Sequence, residues 1–338
     1  MLGFSVDFSA LRTGGQIVIE FVSPSTRALL KLEGEELVSA TGEHFPILNG
    51  IPRFVSSANY AEAFGFQWNV YSQTQLDSYT GTTLSRERLE RCLGVPLAAL
   101  RRKTVLEAGC GAGRFTEHLV AVGAEVYSCD LSKAVDANKA NIGDHPNYVV
   151  AQADILRLPF PERSFDFVVC LGVLQHLPSP EEGITALYAM VRPGGHLAVD
   201  HYRRDLRQQL GKLTRLSTLY RLVLKRIPPR TAKRVIDRAV DVFFPLHWAL
   251  REHRWAEILL NRVSPCPFYW RTFPELSRSQ QLEWSHLDAF DTLMDFYKHK
   301  RSVRQIRCFL EGLGAEEIWC EKGGNGVEAR CRRPSPSR

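Results

Sequence analysis

Between residues 103 and 202 the apolar positions fall into short blocks, each followed by a stretch with helical spacing. Five blocks, at 104–108, 126–130, 148–151, 165–171 and 196–200, read as strands. Helical patterns from 114 to 122, from 133 onward and over about 181–191 separate them, and Arg192-Pro-Gly-Gly195 breaks the last helix from the fifth strand. Such alternation predicts an α/β fold, a doubly wound parallel sheet covered on both faces. The rhythm resumes with a helix over 303–313 and two strands, 316–320 and 326–332, joined by Gly323-Gly-Asn-Gly326, which brings the sheet to seven strands.

The flanks follow other patterns. Within residues 1–60, the stretch 16–22 is β-rich, 29–32 and 36–38 bracket a hairpin turn at Glu33-Gly-Glu35, and Asn49-Gly50 sits between apolar runs. Residues 61–98 look helical and aromatic, with Tyr60 just before them, then Phe64, Phe66, Trp68 and Tyr71, and Gly94 and Pro96 as stop signals. Residues 203–285 interrupt the sheet with basic amphipathic helices, expected as a cap inserted beside its carboxyl edge. The tail 334–338 reads as disordered.

Composition adds bounds. An apolar share of 44% and a charged share of 24% are those of a soluble globular chain. No 18-residue stretch is free of charge, and the first residues lack the basic-then-apolar pattern of a secretory leader. The eight cysteines show no metal-ligand spacing and read as buried thiols of a reducing, cytoplasmic compartment. The net charge of +6 hides an asymmetry: residues 203–238 alone carry +10, leaving −4 for the remainder. A charge that local points to a task at that place.

Candidate chemistry gathers at the strand ends. Gly109, Gly111 and Gly113 lie between the first strand and its helix, where the backbone must turn tightly and let a ligand approach. A pyrophosphate loop typically has glycine at its sixth position; here that residue is Arg114, and Glu107 would repel a phosphate. An acid suits a cationic ligand instead, and S-adenosylmethionine supplies a sulfonium, an ammonium and no phosphate. Asp130 ends the second strand, where a carboxylate can accept both ribose hydroxyls. Asp154, after the third, can accept from the adenine amine.

Taken together, Val-Leu-Glu-Ala-Gly-Cys-Gly-Ala-Gly, Cys-Asp-Leu-Ser, Ala-Asp-Ile, Phe-Asp-Phe-Val-Val-Cys-Leu-Gly-Val-Leu-Gln-His-Leu and Arg-Pro-Gly-Gly-His-Leu resemble the class I methyltransferases, near the ubiquinone/menaquinone-methylase-like group, over about 103–202 and again near 300–332. The resemblance implies a Rossmann-like seven-stranded sheet and S-adenosyl-L-methionine as cofactor. The organisation expected is a β-rich module (1–60), N-terminal helices (61–98), a cofactor domain (99–202), a basic helical cap (203–285), the end of the cofactor domain (286–333) and a tail (334–338). Carried over by position, Glu107, Gly109 and Gly111 would line the methionine part, with Gly113 in the same cofactor-binding loop, Asp130 would hold the ribose, Leu131, Ile155 and Asp154 the adenine, and Leu171 and Gly172 would lie beside the sulfonium.

The same resemblance implies that His176 shapes the cofactor pocket; a basic role is the alternative. His201 and Tyr202, after the fifth strand, are candidates for a base or a substrate contact. Phe64-Gly-Phe-Gln-Trp-Asn69 and Leu287-Asp-Ala-Phe-Asp-Thr292 resemble flanking parts of a methyltransferase subgroup. Gln67, Trp68 and Asp291 then become site groups, while Phe64 and Phe66 are expected to pack. His44-Phe-Pro-Ile-Leu-Asn-Gly-Ile-Pro resembles a zinc-ribbon-like module, but Ser23-Pro-Ser-Thr26 and Ser39-Ala-Thr41 stand where its cysteine pairs would be, so no metal is expected. Three functions stay open: methylation of a small-molecule acceptor, on an oxygen of a sugar or lipid-linked precursor, anionic or resting on acidic headgroups; methylation of RNA through the basic segment; and a non-catalytic binding protein on the same scaffold.

Overall fold

The computed structural model describes residues 19–56, 59–204, 216–224 and 226–336. Two sheets organise them. The smaller is antiparallel, with strands β1 (Leu30–Glu33), β2 (Glu36–Ser39), β3 (His44–Leu48) and β4 (Ile51–Pro52) in sequential order. Asn49 and Gly50 turn the last hairpin with φ of 55° and 72°, the left-handed pair that matches strand twist. Of the β-rich stretch expected over 16–22, residues 16–18 lie outside the described residues, and 19–22 form no strand beyond one bridge from Val22 to Leu29. Their job is packing: the Phe21 ring lies 5.3 Å from Phe54 and 5.4 Å from Phe160.

Where a zinc ribbon would join two cysteine turns, a carboxylate joins two hydroxyl turns. Glu43 accepts from Thr26 Oγ1 at 2.6 Å, Thr41 Oγ1 at 3.2 Å and Ser39 Oγ at 3.3 Å. Hydroxyl donors, Thr26 first and then Ser23, with smaller parts from Ser25 and Thr41, pull the carboxyl down to about 2.

Three helices lead out of this module: α1 (Glu62–Val70), α2 (Asp77–Thr80) and α3 (Leu84–Leu93). The main sheet then alternates with helices: β5 (Thr104–Ala108), α4 (Thr116–Ala121), β6 (Glu125–Asp130), α5 (Ala134–Ile142), β7 (Tyr148–Gln152), β8 (Phe165–Cys170), α6 (Pro180–Met190) and β9 (Val191–His201). Its order is β10-β11-β9-β8-β5-β6-β7, parallel throughout except β11 (Gly326–Arg332), which runs against both β9 and β10 (Glu316–Gly323). The seven-stranded Rossmann-like sheet is as expected. The chain leaves β5 toward β6 and β7 and returns on its other side as β8, so the order reverses there and a crevice opens at the carboxyl ends.

One boundary differs. Arg192-Pro-Gly-Gly195 does not precede the fifth strand but lies inside it. The register with β8 slips between Phe165 and Phe167, and the excursion is bonded to the chain beyond β11: Gly194 N donates to Arg333 O and Arg333 N to Gly195 O, both at 2.9 Å. A bulge absorbs the proline, which has no N–H to give to a ladder.

The insertion is helical where described: α7 (Ser217–Leu224), α8 (Pro229–Ala249), α9 (Arg254–Val263) and α10 (Arg278–Met294), followed by α11 (Val303–Gly312) of the main domain. Helix α10 runs unbroken through 285, so the helical cap extends to 294. Four-residue steps put Ala232, Ile236, Val240 and Phe244 of α8 on one buried face, against Ala289, Phe290 and Leu293 of α10. Gln67 of α1 ties this cap to the sheet, its Nε2 donating to Leu287 O at 2.7 Å. All eight cysteines are unbridged, and all but Cys308 are buried. Among the described residues no helix is long and apolar enough to cross a membrane. Residues 205–215, and with them part of the basic segment, lie outside the description.

Candidate active site

A cavity of about 780 Å³ opens at the carboxyl ends of the main strands, beneath the helical cap. Its sheet side is built from the strand-end residues singled out in the sequence: Gly109 and Gly111 after β5, Asp130 and Leu131 at β6, Asp154 and Ile155 after β7, Leu171 and Gly172 after β8. Gln67 and Trp68 of α1 also line it. A Cβ at Gly109, where φ is +78°, would sit 2.2 Å from Val173 Cγ2, so only glycine fits between the two strand ends. Trp68 lies over Gly111, at ordinary contact distance from a side chain placed there (3.6 Å).

The two acids are held by their own loops. Asp130 Oδ1 accepts from Ser132 N at 2.8 Å and Ser132 Oγ at 2.7 Å, and Oδ2 from Gly111 N at 3.1 Å. Burial raises its carboxyl, which those bonds oppose. Asp154 Oδ1 caps a short helical turn through Leu156 N at 2.9 Å. Tyr60 stands close enough that Asp154 and Asp130, after burial itself, push its hydroxyl above the ordinary phenol range.

Three expected site residues do not reach the cavity. Glu107 is 2% exposed and lies within the sheet, where Oε2 accepts from Thr116 Oγ1 at 2.6 Å and Ser128 Oγ at 2.9 Å. Gly113 serves packing, its Cβ position 3.3 Å from Ile142 Cδ1. His201 is 1% exposed and turned away; Nδ1 donates to Tyr202 O at 3.0 Å, and Nε2 is buried without a partner among the described residues. Burial lowers its pKa. Neighbours on a strand face opposite sides, and the preceding residue, Asp200, is turned toward the wall-forming residues Gly172 and Arg88. Its carboxylate accepts from Gly172 N at 2.6 Å and pairs with Arg88.

Residues 106–199 match a family model described as a methyltransferase domain. The chain is 36% identical over 118 residues to a ubiquinone biosynthesis O-methyltransferase of Cupriavidus pinatubonensis, covering 34% of this chain and 47% of that protein. A Pseudomonas putida protein of the same name is 35% identical over 112 residues, 32% and 48% of the two chains. This region is a class I S-adenosylmethionine-dependent methyltransferase domain. The chain spans about half the length of the curated relatives it matches. Among solved structures it is similar to magnesium protoporphyrin IX methyltransferase from Synechocystis, with a TM-score of 0.45 and 16% identity over 81% of this chain and 96% of that one. Human N-acetylserotonin methyltransferase gives 0.40 and 14%, over 82% and 57%.

Beyond the cofactor loop, the wall of the methyltransferase domain's cavity is contributed by segments far off in sequence. Tyr202 lines it, its hydroxyl pushed well up by burial and then by Asp291, Asp288 and Asp295. His176 lines it edge-on to Tyr202, ring centroids 5.5 Å apart, with Nδ1 donating to Tyr297 O at 3.2 Å. Two acids of α10 face the same space. Asp288 Oδ2 accepts from the Tyr269 hydroxyl at 2.5 Å, and burial with Asp291 alongside pushes its carboxyl up to about 6. Burial also raises Asp291, whose buried Oδ1 has no hydrogen-bond partner among the described residues. Arg88, Arg114, Tyr269, Trp284 and Asp288 were missed in the sequence. A spacing signal existed only for the pair Asp288 and Asp291, which sit one helical turn apart on α10.

Glu107 gives a measurable pH signature. Burial pushes its carboxyl from an ordinary value of 4.5 up to about 7, with the bonds from Thr116 and Ser128 pulling the other way. The folded protein therefore keeps a proton that the unfolded chain releases, and stability present at acid pH is lost as pH rises from 4.5 through 7. Glu107→Gln should remove that loss, making the variant more stable relative to wild type at pH 8 than at pH 4.5 by up to about 3 kcal/mol. Urea titrations of both proteins across this range check it; parallel stability curves would show that Glu107 ionises as freely folded as unfolded.

Proposed function

We propose that the protein transfers a methyl group from S-adenosylmethionine to an oxygen of a small-molecule acceptor held under the helical cap. The observation that carries this is the convergence on one cavity of Gly109 and Gly111, Asp130, Asp154 and the acids of α10. The residues fit the cofactor: two carboxylates stand at successive strand ends, and a side chain on the loop would collide with Val173. Bound there, the cofactor supplies a methyl group already activated for displacement.

The chain's own task is then mostly alignment. Asp130 takes the ribose hydroxyls, Leu131 and Ile155 flank the adenine, and Asp154 accepts from its amine. Gly109 and Gly111 leave room for the methionine part, and Leu171 and Gly172 border the sulfonium. Glu107 acts from beneath, fixing Thr116 and Ser128 under the loop. A hydroxyl acceptor also needs a proton acceptor. Asp291, a cavity-lining carboxyl that burial raises, takes that proton in this reading, and Tyr202 and His176 shape the space beside it. Relatives that are O-methyltransferases support an oxygen acceptor. Asp130→Ala should weaken binding of S-adenosylhomocysteine by about 1–3 kcal/mol, because charge-assisted bonds to the ribose are lost. Unchanged affinity in a folded variant, measured by calorimetry, would place the ribose elsewhere.

A second reading concerns where the acceptor resides. The expected basic face is not uniformly free: Arg221 pairs with Asp295, and Lys233 is buried against Asp237 and the Tyr71 hydroxyl. Arg230, Arg234 and Arg238 remain, exposed on α8 at four-residue steps. The neighbouring helices expose Leu219, Leu222 and Val223 on α7, Val235 and Val242 on α8, and Trp255, Ile258 and Leu259 on α9. Exposed apolar side chains beside a cationic stripe favour contact with an acidic membrane surface over RNA, which would be read with stacked bases. Vesicles of phosphatidylglycerol should sediment the protein, and replacing the three arginines with Gln should weaken this by about 1 kcal/mol per charge at low salt. Retention by RNA without vesicle binding would reverse the choice.

A further inference from the structure

Arg114 stands where a pyrophosphate loop typically carries its last glycine, and in the fold its side chain lines the cavity. Nε donates to Ser85 Oγ at 3.2 Å and Nη1 to Gln75 Oε1 at 2.7 Å. Both partners are neutral. Among the described residues Nη2 has no hydrogen-bond partner and no carboxylate forms an ion pair with this guanidinium.

Its neighbours on the same wall are paired. Arg88 is bound to Asp200 and Arg91 to Glu328. The acids nearest Arg114 are already engaged. Asp77 accepts from Ser85 N, Arg86 N and His118, and Asp288 accepts from Tyr269. Arg88 adds a second cation, since both guanidinium groups lie over the Phe115 ring, at 5.7 and 4.9 Å from its centroid. Burial, then repulsion from Arg88, pulls Arg114 down to about 9. A partly buried cation gains most from a directly paired anion; Asp77, Asp288 and Asp200 favour the charge only from beyond ion-pair distance, and no carboxylate among the described residues pairs with Arg114 directly. An anion that enters the cavity would.

We propose that Arg114 is the receptor for an anionic oxygen group, a carboxylate or a phosphate, on a molecule bound in the cavity. Ser85 and Gln75 fix the guanidinium so that its remaining N–H groups point to one place. This rests on the methyltransferase reading for the identity of the occupants. Two of them can bring the anion: the amino-acid carboxylate of the cofactor, or an acidic group on the acceptor.

The test titrates wild type and Arg114→Gln with S-adenosylhomocysteine and with its decarboxylated analogue. Inorganic phosphate and benzoate are titrated separately into protein saturated with S-adenosylhomocysteine. If the cofactor is the source, losing the carboxylate weakens wild-type binding by about tenfold to a hundredfold, Arg114→Gln does the same, and the two losses do not add. If the acceptor is the source, product and analogue bind alike, while phosphate or benzoate binds the saturated wild type and not the variant. Should Arg114→Gln fail to fold, Arg114→Lys takes its place; it keeps the charge, loses the fixed fork and should show a partial loss of the same kind. Equal binding of product and analogue, with neither anion bound, overturns the proposal while leaving the methyltransferase reading intact. A wild type that binds neither product nor analogue defeats that reading instead, and the anion titrations, repeated on the ligand-free protein, then decide the role of Arg114.

Discussion

The close approach of Val173 to Gly109 sets the geometry on which the rest depends. The two residues follow β5 and β8, the neighbouring strands between which the sheet reverses its order, and no side chain fits between them. With that gap closed, the β5 loop turns back toward β6, and Gly109 N and Cys110 N both donate to Cys129 O, at 2.7 and 3.0 Å. Gly111 N can then reach Asp130. The β5 loop is thus tied to the end of β6 by its own backbone N–H groups, the pre-organisation that a transfer limited by alignment needs.

The strand ends were legible in the sequence because they depend on local chemistry. Apolar blocks marked the strands, and a residue closing a parallel strand has only one edge of the sheet to face, so Asp130, Asp154, Leu131, Ile155, Leu171 and Gly172 fell where their positions implied. Residues whose roles depend on partners far along the chain were not legible. Arg88 meets Asp200 across 112 positions, and Gln67, though named as a site group, meets Leu287 across 220. No pattern within a window of one helix or strand encodes such pairs. His201 and Asp200 show the narrower failure: both were near the strand end, and the parity of the strand, which sends adjacent side chains to opposite faces, decided between them.

The basic segment shows how charge counted along a sequence divides once the chain is folded. Part of it is structural: Arg221, joined by Lys298 from outside the segment, neutralises the buried Asp295, which anchors α7 to the end of α10, and Lys233 joins α8 to Tyr71. Among the described residues the stripe on α8 stays exposed, as do Arg204 and Arg226, and the helices of the insertion also expose apolar side chains. In the N-terminal module Glu43 gathers the hydroxyls of two turns, Thr26 from one and Thr41 from the other.

The central claim is that the strand-end acids and glycines form a site for a cationic sulfonium cofactor and not for a pyrophosphate one. Calorimetric titration of the wild-type protein with S-adenosylmethionine and, separately, with a nicotinamide dinucleotide tests it most directly. The account predicts micromolar binding of S-adenosylmethionine, on the order of −7 to −9 kcal/mol, and no binding of the dinucleotide. Binding of the dinucleotide with no heat from S-adenosylmethionine would contradict it.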